Sequence, residues 1–140
     1  MRYPLRVIAA IREAVGPDFI VGARMTFDEE REPGLKEEEE EETLRIAEDI
    51  TNTGIDFISI IRGSTETDAA LTRQIPPMGT PAAPHLEWAG QLKKQLRVPV
   101  MHATRITDVP TARYAILEGL LDLVGMTRGC SRTRIYARRW

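Results

Sequence analysis

Four short apolar runs, Phe19–Met25, Phe57–Arg62, Val98–Ala103 and Leu121–Met126, constrain this chain more than any other feature. Each is rich in residues that favour strands, and each closes on a polar or glycine-containing turn. Their first residues lie 38, 41 and 23 positions apart. Such intervals are too long for hairpins and long enough for a crossover helix between successive parallel strands. The intervening segments have helical spacing. Pro4 to Val15 sets Leu5, Ile8, Ala9, Ile11, Arg12 and Val15 at helical intervals and stops at Gly16-Pro17. A second helix is predicted over Lys36 to Thr53, with Leu44, Ala47, Ile50 and Thr51 inward and the Glu37–Glu42 run at its amino end, where negative charge suits the helix dipole. Those glutamates read as a solvated helix start. A third helix, Pro84 to Leu96, aligns Leu86, Ala89, Leu92, Lys93 and Leu96. Asp108 reads as the cap of a fourth, with Pro110 in its first turn and Tyr114, Ile116 and Leu117 before Gly119. The predicted order is α-β-α-β-α-β-α-β. Near-continuous apolar strands of this kind imply a parallel sheet covered on both faces.

Two architectures satisfy that order: a small doubly wound sheet, or part of a (β/α)8 barrel. A complete barrel takes about 250 residues, so 140 residues hold about half of one. The connection from Gly63 to Ala83 contains Pro76, Pro77, Gly79 and Pro81 and has no clear amphipathic period. It reads as a binding loop at the carboxyl end of a strand.

Composition narrows the partners. Nineteen basic and 21 acidic residues leave a net charge of -2, which gives no footprint for nucleic acid or an anionic membrane. One cysteine, Cys130, makes no internal disulfide, and with His85 and His102 it falls short of a zinc or iron–sulfur set, so no metal is expected. Arg6 and Arg12 break the apolar character of the amino-terminal segment, which is neither a signal sequence nor a membrane span. The default compartment is the cytoplasm.

The sharpest local signal is arginine at the ends of three predicted strands: Arg24 after Val21-Gly22-Ala23, Arg105 after His102-Ala103-Thr104, and Arg128 after Gly125-Met126-Thr127. In a parallel sheet these lie at one rim, where the guanidinium fork suits phosphate and Thr104 and Thr127 add hydroxyl donors. Structural salt bridges with nearby carboxylates are the alternative reading.

These motifs together resemble a known family. Arg12 to Asp18 followed by Val21-Gly22-Ala23-Arg24, then Val98-Pro99-Val100, Arg105-Ile106-Thr107-Asp108 and Asp122 to Arg128, are similar to the second half of an old yellow enzyme-type NADH:flavin oxidoreductase. Within that family the trimethylamine and histamine dehydrogenase branch, with the N-methylproline demethylases, is the nearest in pattern, above all through Ile61-Arg62-Gly63 and Ala82-Ala83-Pro84-His85-Leu86. The resemblance implies an FMN-binding (β/α)8 barrel of which residues 1–128 are roughly the last four strands with their helices. It further implies that Arg24 faces the pyrimidine edge of the flavin, that Thr104 and Arg105 hold the FMN phosphate after the seventh strand, and that Thr127 and Arg128 do so after the eighth. Many members have glycine where Thr104 and Thr127 stand, and glycine is what lets backbone approach phosphate closely, so the resemblance here implies contacts chiefly from the arginines. The family's substrate-activating His or Tyr residues come from the first half of the barrel, and no residue here matches them.

The expectation is therefore part of an FMN-dependent oxidoreductase, acting on an N-methylated amine or an enone-like substrate when whole and inactive alone. A homo-oligomer, or a chain supplying the other half-barrel, is the expected partner. The alternative is a non-catalytic α/β module that binds a phosphorylated ligand. Residues 129–140 depart from the family and form an atypical basic tail with five arginines from Arg128 onward. Codons exist for Gly129 to Ile135 that spell Leu-Leu-Ala-Asp-Pro-His in a neighbouring frame, so a frameshift is one reading and a genuine tail the other. His102 reads as a hydrogen-bonded interior residue, His85 as a surface residue at a helix start, and Trp88 as packing its helix on the sheet. Glu66 and Asp68 are weak candidates for meeting a cationic amine.

Overall fold

In the computed structural model, which describes residues 2–28 and 36–126, the predicted alternation is present with one addition. The elements are α1 (Arg2–Val15), β1 (Gly22–Asp28), α2 (Lys36–Thr51), β2 (Phe57–Arg62), α3 (Asp68–Gln74), α4 (Leu86–Lys93), β3 (Val100–His102), α5 (Val109–Leu117) and β4 (Leu123–Val124). All strand pairs are parallel, in the spatial order β1-β2-β3-β4. This is a (β/α)8 barrel in part. Each crossover returns the chain to the same end of the sheet, so all carboxyl ends share one rim.

Strand alternation sorts the side chains onto two faces. Met25, Ile58, Ile60, Val100 and Val124 join the core with Ala47 and Ile50 of α2, Ala89 and Leu92 of α4, and Ala115 of α5. The opposite, concave face carries Arg24, Phe57, Ser59, Met101 and Leu123, and none of these is buried. Gly22 belongs there too: a Cβ on it would lie 2.3 Å from Phe57 Cζ, so the missing side chain is what lets that ring lie across β1.

At the amino ends one device occurs twice. Asp56, just before β2, accepts from Val21 N at 2.7 Å and from Arg12 Nη2 of α1 at 2.6 Å. Asp122, just before β4, accepts from Val100 N at 2.9 Å and pairs with Lys93 of α4 at 2.8 Å. Each aspartate thus ties the start of its neighbouring strand to a helix. The Val21 amide and then Arg12 hold the Asp56 carboxyl below its usual range. Desolvation pushes Asp122 upward, but Lys93 and the Val100 amide outweigh it and the net shift is also downward.

Three expectations need correction. The connection from Gly63 to Ala83 is not a plain loop, because Thr67 caps α3 by accepting from Ala70 N at 3.1 Å. Seven residues are too few to show a period, so the helix is announced by its cap and not by its pattern. β1 begins at Gly22 and runs to Asp28, which leaves Phe19 and Ile20 outside it at 61% and 73% exposure. Arg24 is therefore in mid-strand, paired in register with Ser59, and not at the strand end. His85 is 2% exposed, not on the surface.

Candidate functional site

Among the described residues the carboxyl rim is built from the segments that follow β2 and β3 and the strand ends that feed them. Gly63, at φ 87, donates its amide to Asp28 O at 2.6 Å. A Cβ there would sit 2.3 Å from Ala70 O, so only glycine lets α3 close down on β2. Beside it Asp28 Oδ2 accepts from Arg62 Nε at 2.9 Å, and the Arg62 guanidinium lies 5.6 Å from the Trp88 ring centre. This salt bridge couples the ends of β1 and β2 to the first turn of α4.

Beneath the rim lies an aromatic cluster. His85, Trp88 and His102 meet edge to face, with centroid separations of 6.2 to 6.3 Å. His102, 1% exposed, donates from Nδ1 to Ile60 O at 3.0 Å, which crosses from β3 to β2. His85 Nε2 donates to Arg73 O at 2.9 Å and so fastens α3 to α4. Burial drives the His102 imidazole toward its neutral form, and His85 and Arg24 push the same way against the Ile60 bond. Both histidines hold elements together. Above them a cleft of about 350 Å³ opens between α3 and the proline loop, lined by Arg73, Pro76, Pro77, Thr80 and His85.

The sequence-predicted site residues are distributed as follows. Arg24 projects, exposed, from the concave face of β1. Thr104 is half-buried in the turn after β3. Arg105 follows it with a left-handed φ of 55, uncommon for a residue with a side chain. Its Nη1 donates to Pro77 O at 3.0 Å, so the guanidinium reaches back over the proline loop. Ala83, the other non-glycine residue with positive φ among those described, donates its amide to Arg105 O at 3.0 Å. Two strained residues therefore brace each other at this corner, and such strain collects at functional turns. Thr127 and Arg128 lie outside the described residues, as does the tail from 129 to 140.

Sequence reasoning did not find Ala83, the Asp28–Arg62 pair or the histidine cluster. The available signal was positional: Asp28, Arg62 and His102 each end a strand. Among the described residues no group of three or more His, Cys, Asp or Glu converges to hold a metal, and no helix is long and apolar enough to cross a membrane.

Parallel βα units in sequential order, with their carboxyl ends at one rim, define part of a (β/α)8 barrel. Residues 1–132 match the model of the NADH:flavin oxidoreductase / NADH oxidase family, and the chain belongs to that family. It is 43% identical over 129 residues to a probable N-methylproline demethylase of Rhizobium meliloti, covering 91% of this chain and 19% of that protein. It is 42% identical over 130 residues to a multifunctional alkene reductase/demethylase of Caballeronia cordobensis, covering 91% and 18%. The chain thus spans about a fifth of the length of these relatives. Among solved structures, a 2-naphthoyl-CoA reductase complex superposes with a TM-score of 0.69 at 21% identity, covering 97% of this chain and 21% of that one.

Proposed function

We propose that residues 1–128 supply one side of an FMN cradle in an oxidoreductase of this family, on a barrel whose other units come from outside these residues. The observation that carries the reading is Arg24: an exposed cation in the middle of a concave sheet face that also carries Thr26, Phe57, Ser59, Ile61, Met101 and Leu123. A lone guanidinium there suits the anionic edge of a flat, partly apolar ligand, and it stabilises negative charge on the flavin's pyrimidine side. Thr104 and Arg105 form the first phosphate turn, with the hydroxyl and the guanidinium as donors, and Thr127 and Arg128 form the second. The residues present fit the group in part. Arg105 already gives one of its five N–H donors to Pro77 O, so it reaches phosphate with the rest of its fork. Hydride and electron transfer are supplied by the flavin when bound, while the chain contributes position and charge.

The substrate class follows the relatives: an N-methylated amine or an activated alkene. His85 and His102 are both buried and committed to backbone carbonyls, and Asp28 is committed to Arg62. Among the described residues no acid or base is therefore placed toward the concave face, and on this reading the chain alone does not turn over substrate. Its partner is a second copy or a chain carrying the remaining units, the compartment is the cytoplasm, and residues 129–140 are an atypical basic tail.

Titrating the purified chain with FMN, followed by the visible flavin band, tests this. Binding without NAD(P)H oxidation is expected. Arg24→Ala and Arg105→Ala should each weaken binding by roughly tenfold or more, the worth of a charge-assisted contact. Variants that titrate like the parent, or turnover by the chain alone, would overturn the assignment.

A further inference from the structure

The strained corner at the carboxyl rim and the buried histidine pair beneath it are joined by short stretches of chain. Ala83 and Arg105, with φ of 46 and 55, are linked by the bond from the Ala83 amide to Arg105 O. Each also leads within three residues to a buried imidazole. Between Ala83 and His85 stands only Pro84, whose ring fixes its own φ and passes on any movement. Between His102 and Arg105 stand only Ala103 and Thr104. The two rings meet edge to face with their centroids 6.2 Å apart. A closed circuit results, from Ala83 to His85, across to His102, on to Arg105 and back through one backbone hydrogen bond. We propose that His85 and His102 are positioning residues for Arg105: their contact keeps the corner closed while both rings are neutral, and a proton on His102 opens it.

The hydrogen bonds of the rings make their contact sensitive to a proton. A carbonyl only accepts, so His102 Nδ1 carries the hydrogen given to Ile60 O, and in the neutral ring Nε2 is a bare acceptor. That nitrogen is buried and has no hydrogen-bond partner among the described residues. A proton there makes a buried cation whose new N–H meets no acceptor, which is costly. The elements packed on β3 are β2, β4 and α4, and their charges do not compensate it. His85 is itself basic. Arg62 of β2 lies against Trp88 and is paired with Asp28, Glu87 of α4 is exposed, and Lys93 is paired with Asp122. β4 offers Val124, and Arg24 of β1 acts on His102 with the same sign. A charged His102 is therefore driven apart from His85. β3 itself is held on both sides, since His102 O accepts from Gly125 N at 2.9 Å and Nδ1 bonds Ile60 O at 3.0 Å. The corner gives way first, because two left-handed residues with side chains store strain against the one backbone bond between them.

The consequence for cofactor binding rests on the reading of Arg105 as a phosphate ligand, whereas the latch itself is measured without flavin. Amide hydrogen exchange of the full chain, corrected for the intrinsic rate, is followed by NMR from about pH 7.5 to 5, where imidazoles charge. Protection of the Ala83 amide should fall about tenfold more than that of the Ile58 amide, which donates to Pro99 O within the sheet. Its midpoint should coincide with that of the His102 ring resonance. His102→Asn keeps a donor for Ile60 O, and in that chain the extra loss at Ala83 should vanish. Where that variant loses its circular dichroism, the two midpoints in the parent decide alone. FMN affinity should fall with pH more steeply in the parent than in the variant, which shares the ligand's own titration, and riboflavin, lacking the phosphate, should show no such difference. Constant Ala83 protection, a midpoint apart from the ring's, equal loss at Ile58, or an unchanged fall in His102→Asn would each overturn the proposal. Exchange as expected without FMN binding at any pH would uphold the latch and overturn the cradle.

Discussion

At the scale of single residues, the two buried histidines show how the same side chain type serves as structural glue in a barrel wall. His102 is held in its neutral form chiefly by burial, below its usual value of 6.5. The unfolded chain takes up a proton as the pH falls through that value, and the folded chain resists doing so. Stability is therefore complete above about 6.5 and declines as the pH drops toward the folded value. Urea midpoints at neutral and mildly acidic pH should show this decline in the parent chain. The His102→Asn variant keeps a donor for Ile60 O and should lose the slope while losing some stability at neutral pH. An equal slope in both would locate the pH dependence elsewhere.

Helices and strands differ in how far the sequence announces them. α2 and α4 were legible because Ala47, Ile50, Ala89 and Leu92 repeat at helical spacing and all reach the core, whereas in α5 the residues expected to mark the helix, Tyr114, Ile116 and Leu117, are exposed and Ala115 is the buried one. Asp108 was legible as a cap, and it accepts from Thr111 N at 2.8 Å. α3 was not: in seven residues only Ala70 is buried, so its stability comes from Thr67 and from contacts that a one-dimensional pattern does not carry. Arg24 was recognised as a site candidate, yet its place in mid-strand was missed, because Thr26 and Asp28 are polar and hide the continuation of β1. Arg105 was singled out as a candidate by position, but its bond to Pro77 depends on a loop fold with no periodic signature. The cap makes a prediction for α3. Thr67→Ala should cost about 1 kcal/mol, seen as faster hydrogen exchange in the first turn of α3, with exchange in β2 unchanged.

For the molecule as a whole, the repeated aspartate device matters more than any one element. Asp56 and Asp122 fix the amino ends of successive strand pairs, and both carboxyls are held below the ordinary value of 3.8. Lowered carboxyl values stabilise the fold above that range, and the contribution disappears as the pH falls through the folded values. The doubly substituted Asp56→Asn, Asp122→Asn chain should thus be less stable at neutral pH and show a shallower loss below pH 4. Acid titration of the circular dichroism measures both features, and a parallel acid limb in the two chains would contradict the assignment.

The strictly sequential strand order has a consequence for how the chain acquires its structure. Among the described residues each of β1, β2 and β3 pairs with the strand next made, and no pairing skips a unit. Each contact therefore closes a loop of only one crossover, which keeps the entropic cost of each step low and uniform. Synthesis from the amino end lets β1 and β2 associate before β3 exists, so the sheet grows in one direction as it emerges.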